Sequence, residues 1–240
     1  MAKNSYFRFK QFTVHQGQSA MKVCTDACVL GAWADLGEAE HILDIGTGTG
    51  LLSLMAAQRN SNAEIHAVEL DDDAFNQATE NLQESIFAER IQVFHQSIQS
   101  YEPNKKYDCI ITNPPFFQSD LLSPDQQKNK AHHATSLTFD ELLTAIDRLL
   151  TDEGKFHILL PVDEAGVFLQ KALVDGWFLA DSLILQHNSS KKPFRHIMTF
   201  SRKYISDSQI VNSVLHIYNT QENTYTDAFK DLLKDFYLIF

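Results

Sequence analysis

The residues whose types most directly suggest a chemical role form a rigid turn after the apolar stretch 107–112. The turn consists of Asn113, Pro114, Pro115 and Phe116. Each proline fixes φ at about −65°, lacks an N–H group and pushes the preceding residue toward extended geometry. The turn therefore offers side-chain and backbone oxygens beside an aromatic ring. Such a group suits an exocyclic amino group on a flat ring, which needs two acceptors and a stacking face. A Pro-Pro pair can also simply end a strand.

A second motif precedes this turn and has the pattern of a nucleotide-binding unit. An apolar strand is expected at 41–45, and a helix at 51–58. The residues near the end of this strand and in the turn after it that could face a ligand are Asp44, Gly46, Thr47, Gly48 and Gly50. Glycines let the backbone approach a ligand closely, and a helix start offers free N–H groups. Strand, glycine turn and helix are the first half of a βαβ unit.

The next predicted strand, 64–70, ends in an acid, Glu69, followed by Leu70. An acid at the end of the second strand of such a unit accepts hydrogen bonds from ribose hydroxyls. Glu69 follows Gly46 by 23 positions, close to the spacing of ~20 expected for this role. We therefore assign Glu69 and Leu70 to a nucleotide site.

The remainder of the chain alternates between strands and helices. Strands are predicted at 91–95, 107–112, 155–160, 177–186, 194–203 and 213–218, and helices at 71–85, 138–150, 163–174 and 225–234. This alternation predicts an α/β fold with a doubly wound, mostly parallel sheet and a ligand at the carboxyl ends of the strands. We expect one domain, with a core at 41–203 and small extensions at 1–40 and 204–240. A strand or a hairpin is expected near 7–14.

Composition limits the class of protein. The 240 residues carry a net charge of −11, and no apolar run reaches the ~20 residues needed to span a bilayer. The first residues lack the apolar stretch of a signal peptide, so we expect a cytoplasmic protein. Three scattered cysteines predict neither a disulfide framework nor a metal site. The negative charge argues against general binding of nucleic acid but leaves room for a local basic patch.

The order of the motifs indicates which cofactor binds. The glycine spacing is G-x-G-x-G rather than the G-x-G-x-x-G of dehydrogenases, and no P-loop lysine follows. Asp44, which leads into the loop, suits an ammonium group better than a pyrophosphate. With Glu69 and the Asn-Pro-Pro-Phe turn, the loop resembles class I S-adenosyl-L-methionine-dependent methyltransferases that methylate amino groups. The resemblance covers residues 40–200 and implies a seven-stranded Rossmann-like sheet.

This resemblance implies a role for each motif. The glycine loop would hold the methionine part of S-adenosylmethionine, Glu69 the ribose, and Asn113 and its turn the target nitrogen. The third strand of the family often ends with an acid at the cofactor adenine. This chain has Ser97 there, so Ser97 or a backbone group would make that contact.

The N-terminal block narrows the resemblance to one group. Its pieces are 9–12 (FKQF), 21–23 (MKV), 25–26 (TD) and 30–33 (LGAW). They resemble the bacterial tRNA adenine-N6 methyltransferases that modify the purine beside the anticodon of a valine tRNA. In that group the segment with Lys22, Thr25 and Asp26 lies over the cofactor. From the residues alone, Thr25 or Asp26 could equally cap a short helix.

A tRNA substrate requires a surface for RNA on an acidic protein. The candidate residues are Arg8, Lys10, Lys191, Lys192, Phe194 and Arg195. Cations with an aromatic ring among them are common where single strands bind, although each lysine could be ordinary solvated charge. The polar stretch 117–137 is expected to be a loop over the pocket mouth.

Several other functions use similar motifs. Guanine-N2 methyltransferases of ribosomal RNA and methyltransferases of protein glutamine carry a similar turn, but the latter tend to have Tyr where this chain has Phe116. DNA adenine is a further candidate substrate, though the chain has no DNA-reading helix module. A binding module that keeps the cofactor pocket without turnover is a further alternative, and a nicotinamide dehydrogenase is disfavoured by the glycine spacing.

Overall fold

The computed structural model describes residues 5–18, 22–114, 137–206, 209–221 and 224–240. The first half of the chain contains β1 (Tyr6–Arg8), β2 (Thr13–His15), α1 (Thr25–Trp33), β3 (His41–Ile45), α2 (Leu51–Arg59), β4 (Glu64–Glu69), α3 (Asp72–Gln83), β5 (Ile91–His95) and β6 (Tyr107–Thr112). The second half contains α4 (Phe139–Leu149), β7 (Leu150–Pro161), α5 (Val162–Val174), β8 (Phe178–Gln186), β9 (Pro193–Ser201), β10 (Val211–His216) and α6 (Asp227–Leu233). Strands β1 and β2 form an antiparallel hairpin.

The other described strands form one sheet in the order β10-β8-β9-β7-β6-β3-β4-β5. Strand β9 is antiparallel to both of its neighbours, and the remaining pairs are parallel. The sheet therefore has eight strands, where the family resemblance implied seven. The additional strand, β10, comes from the C-terminal extension and pairs with β8 along its whole length.

The core lies on both faces of this sheet, because successive side chains of a strand point to opposite faces. Ile42 and Ile111 face the layer that contains α1, α2 and the N-terminal hairpin. Leu43 and Ile110 face the layer that contains α4 and α5. This sandwich is the doubly wound α/β architecture that the alternation of elements predicted.

The N-termini of two helices can be compared with the capping residues that the sequence predicts. The sequence 138–141 (TFDE) has the spacing that predicts a capping box. Helix α4 begins with this box, in which Thr138 and Glu141 bond each other's backbone N–H groups. Helix α1 differs, because its N-cap is Cys24 and no side chain caps it. The prediction that Thr25 or Asp26 caps α1 is therefore wrong.

No helix in the described ranges is long and apolar enough to cross a membrane. The three cysteines are unpaired thiols. Within the same ranges, His, Cys, Asp and Glu side chains form no cluster of three that could hold a metal ion.

Candidate active site

The glycine turn at the carboxyl end of β3 is open toward solvent. Gly46, Gly48 and Gly50 have φ angles of 69°, 60° and 81°, a region that side chains with a Cβ seldom occupy. A Cβ built on Gly46 or Gly48 would meet no atom within 4 Å. The positive φ angles account for glycine at both positions, and the open space beside them leaves backbone that a ligand can approach.

Asp44 lies beneath this turn and is 1% exposed. Its Oδ2 accepts hydrogen bonds from Thr47 Oγ1 at 2.6 Å, Ser53 N at 3.1 Å and Ser53 Oγ at 2.7 Å. Its Oδ1 is buried and has no partner in the described part of the chain. Burial raises the pKa of Asp44 to about 6, although the bonds from Thr47 and Ser53 act in the opposite direction. A buried acceptor without a donor suits a ligand that brings a cation or an N–H group.

Ser53 was not predicted as part of the site. It lies in the first turn of α2 and donates both of its polar hydrogens to Asp44. On the sequence it is one polar residue in an apolar helix. Ser53 is completely buried. This burial marks it as part of the site, but it can be seen only in the folded chain.

Glu69 at the end of β4 is held in place by backbone N–H groups. Its Oε2 accepts from Gly48 N at 2.8 Å, and its Oε1 accepts from Leu70 N and Asp71 N at 2.8 and 2.9 Å. The carboxylate therefore joins the glycine turn to the end of β4. Oε2 retains a lone pair for a hydroxyl group, whereas Oε1 already accepts two hydrogen bonds. Leu70 beside it is 49% exposed and offers an apolar surface at the same edge.

The end of β5 contributes the neighbouring wall of the site. Gln96 N donates to the Glu69 carbonyl at 3.0 Å, which places Ser97 next to the end of β4. The Ser97 hydroxyl contacts Ser100 Oγ at 2.9 Å. His95 stacks on Phe75 with ring centroids 4.6 Å apart and donates to the Leu70 carbonyl.

Asn113 and Pro114 follow β6 at the same edge of the sheet. Thr112 Oγ1 donates to the Ile45 carbonyl at 3.0 Å, so this turn begins beside the glycine turn. The Oδ1 atom of Asn113 is buried and accepts no hydrogen bond from the described residues. Asn113 thus provides a second acceptor without a donor at this edge. Pro115 and Phe116, and the expected loop up to residue 136, lie outside the described residues.

The N-terminal segment is attached to the glycine turn through α3. The Asn81 side chain is buried; it accepts from His15 N and donates to the carbonyls of His15 and Thr49, at 2.8 to 2.9 Å. Gln16 Oε1 accepts from Val23 N at 2.8 Å. The hairpin therefore leads the chain past the turn toward α1. Lys22 and Thr25 are exposed at the end of this path.

Two predicted RNA-binding cations have partners inside the protein. Lys10 Nζ donates to the carbonyls of Lys234 and Phe240, which joins it to the C-terminal residues. Arg195 Nε donates to Asp26 Oδ2 at 2.7 Å. The structure thus brings Arg195 together with a residue of the predicted cofactor segment. The other predicted residues, Arg8, Lys191 and Lys192, are exposed and Phe194 is half-buried.

The fold resembles solved methyltransferases. A predicted O-methyltransferase from Agrobacterium tumefaciens aligns with a TM-score of 0.66 over 88% of this chain and 96% of its own, at 16% identity. A ribosomal protein L11 methylase from Lactobacillus delbrueckii aligns with a TM-score of 0.55 over 80% of this chain and 84% of its own, also at 16% identity. At these identities the likeness shows the fold alone. That fold is the Rossmann-like α/β fold, and here Asp44 lies near the end of β3 and Glu69 at the end of β4.

Sequence relatives define the family more closely. The model of the family described as "Methyltransferase small domain" matches residues 28–160. A protein of Dyadobacter fermentans is 58% identical over all 240 residues and the whole of its own length. One of Pedobacter heparinus is 40% identical over 98% of both chains. Both are named tRNA1(Val) (adenine(37)-N6)-methyltransferase. The chain therefore belongs to the methyltransferase small domain family.

Proposed function

We propose that this protein transfers a methyl group from S-adenosylmethionine to the exocyclic N6 amino group of adenine 37 in a valine tRNA. The observation that carries the proposal is the full-length identity of 58% to a relative named for this reaction. A chain that matches a relative from end to end retains both the cofactor edge and the extensions around it. We place its action in the cytoplasm, where tRNA is modified.

S-adenosylmethionine fits the residues at the carboxyl edge of the sheet. The unpaired Oδ1 of Asp44 suits its ammonium group. Glu69 suits its ribose hydroxyls, and the exposed Leu70 the face of its adenine. The remaining residues proposed to line its site are Lys22, Thr25, Asp26, Gly46, Thr47, Gly48, Gly50, Ser97 and Asn113. When bound, the sulfonium supplies a methyl group bearing partial positive charge.

Asn113 and Pro114 orient the target nitrogen. The N6 lone pair is delocalised into the purine ring, so the amino group is planar and a poor nucleophile. Asn113 Oδ1 and the Pro114 carbonyl accept its two hydrogens, which favours the tetrahedral geometry of the attacking nitrogen. Positioning and electrostatics then supply most of the rate, and the released proton passes to water. Pro115 and Phe116 complete the proposed motif, and we expect Phe116 to stack on the flipped-out base.

The connector between β8 and β9 is proposed to bind RNA. Lys191 and Lys192 are exposed there, and Phe194 adds an aromatic ring. Arg195 supports this surface through its pair with Asp26, and Arg8 contributes from β1. Lys10 is committed to the C-terminal carbonyls, so its role is structural.

The test is transfer of labelled methyl groups to tRNA that lacks the modification, followed by nucleoside analysis. We expect label in N6-methyladenosine at position 37. Asn113→Ala should abolish transfer and leave the affinity for S-adenosylmethionine nearly intact, because Asn113 is only one of many residues proposed to line the cofactor site. Asn104→Ala is the matched control, because exposed Asn104 precedes the opposite end of β6. Label in N2-methylguanosine or in protein glutamine would overturn the proposal.

A further inference from the structure

The rings of His187 and Phe194 form a parallel stack where the chain connects β8 to β9. Their centroids are 4.4 Å apart, and their planes differ by 4°. Phe194 is half-buried and packs against the core, whereas His187 is exposed. The stack therefore projects from the core toward solvent with the imidazole outermost.

The backbone around His187 is fixed by hydrogen bonds. The His187 carbonyl accepts from Tyr218 N at 2.8 Å, and the preceding carbonyl of Gln186 accepts from Ile217 N at 3.0 Å. Gln186 Nε2 donates across the connector to the Lys191 carbonyl at 3.1 Å. A ring on such a support loses little conformational freedom when a ligand stacks on it.

The stack lies at the edge of the sheet that holds the proposed active site. Strand β8 has the same direction as β7 and β6, because β9 is antiparallel to both β8 and β7. His187 therefore leaves the sheet at the edge where Asn113 leaves it. Three strand spacings separate β8 from β6 across the sheet, which is about 14 Å. The register places Leu183 level with Asn113, so His187 lies about 13 Å further along the strand direction. A base bound at His187 would thus be a few nucleotides from the target adenine in the RNA strand.

The charge around the stack favours a polyanion. Lys191 and Lys192 are exposed in the same connector, and the Arg195 guanidinium lies 5.8 Å from the centre of the Phe194 ring. The protein as a whole carries a net charge of −11, so this combination of cations and rings is local. Cations beside an aromatic face are what single-stranded nucleic acid requires.

We propose that the outer face of His187 is a stacking platform for an unpaired RNA base that lies a few nucleotides from the methylated adenine. The imidazole stacks on the base, Phe194 supports the imidazole from below, and the lysines hold the adjoining phosphates. This inference rests on the proposed tRNA substrate. It adds a contact that fixes the path of the RNA strand toward Asn113.

The test measures the Kd of a fluorescent, unmethylated tRNA transcript at two salt concentrations. His187→Ala should raise the Kd by about tenfold, as expected when stacking on one base is lost. His187→Phe keeps a ring and should keep the affinity. The loss should be similar at both salt concentrations, because stacking does not release counterions. Binding of S-adenosylmethionine should be unchanged in both variants.

Tyr204→Ala is the matched control. Tyr204 is also an exposed ring and contacts Phe178 edge-to-face, but Phe178 begins β8 and so lies at the opposite edge. Its loss should not change the Kd. The platform is overturned if His187→Ala binds like the unmodified protein, or if His187→Phe is as weak as His187→Ala. Absence of methyl transfer to tRNA by the unmodified protein would instead overturn the proposed function.

Discussion

Asp26 and Arg195 are 169 positions apart in the chain and form an ion pair with 2.7 Å between Oδ2 and Nε. Their side chains are only 12% and 29% exposed, so solvent screens this pair less than a surface pair. The pair fastens the first turn of α1 to the start of β9. The proposed cofactor segment and the proposed RNA edge are therefore mechanically connected.

Breaking this pair should weaken both folding and cofactor binding. Asp26→Asn leaves the guanidinium without its counter-ion and should lower the free energy of unfolding by about 1–3 kcal/mol. A double-mutant cycle with Arg195→Gln, measured by urea unfolding, should give a coupling energy of about 0.5–3 kcal/mol. Strictly additive effects would show that the two side chains do not stabilise each other. The Kd for S-adenosylmethionine should rise in both single variants.

Glu69→Gln should weaken cofactor binding. The amide can accept fewer hydrogen bonds than the carboxylate that now receives three backbone N–H groups, and hydrogen bonds to charged groups are the stronger ones. We expect the Kd for S-adenosylmethionine to rise by roughly 10- to 100-fold, measured by calorimetry. Glu64→Gln is the control, because Glu64 begins the same strand and pairs with Lys105. An equal loss in both variants would remove Glu69 from the ribose site.

Asp44 should make the stability of the ligand-free protein depend on pH. Burial raises its pKa from 3.8 to about 6, so the folded state holds its proton more tightly than the unfolded state. Its contribution is complete below pH 3.8 and is lost as pH rises to about 6, by at most about 3 kcal/mol. Asp44→Asn does not titrate, so its stability relative to the unmodified protein should increase across that range. Urea unfolding at pH 4, 5, 6 and 7 measures this, and a constant difference would contradict it.

The same variant separates folding from binding. Asp44→Asn should fold well at pH 7 yet bind S-adenosylmethionine weakly, because the neutral amide does not attract an ammonium group. Thermal shift with and without the cofactor measures both properties at once. Retention of the full shift by the variant would place the ammonium group elsewhere.

Lys191→Glu with Lys192→Glu should reduce RNA affinity and its dependence on salt. Each phosphate contact contributes about 0.7 to the slope of log K against log salt for single strands, so the slope should flatten by about 1 or more. Lys230→Glu with Lys234→Glu changes the net charge equally on α6 and the residue after it. If both double variants lose affinity alike, total charge rather than the connector governs binding.

The sequence was sufficient to find the elements that build the site. The apolar strands, the glycine turn and the capping box at Thr138 are local signals, and each appears in the structure at or near its expected place. The sequence could not give Ser53 and Asn81 their roles, because each looks like an ordinary polar residue of a helix. Their importance arises from partners that only the folded chain brings close, such as His15 for Asn81.

The eighth strand shows a similar limit. The prediction placed a strand at 213–218, near the observed β10, but nothing in its pattern stated that it would pair with β8. The prediction of the N-cap residue of α1 was wrong for a related reason. Asp26 has the right type for a cap, but the helix begins at Thr25, before Asp26. The Asp26 carboxylate instead accepts from Ala27 N and from an arginine far along the chain.

The order of strands also bears on how the protein forms during synthesis. Strand β8 lies between β9 and β10, and both leave the ribosome after it. Strands β3 to β7 can already pair and build the cofactor edge while β8 has no partner. At roughly 5–20 residues per second, the segment through the end of β9 follows within about 1–3 s. The nascent chain can thus form the part of the sheet proposed to hold the methyl donor before the part proposed to bind RNA.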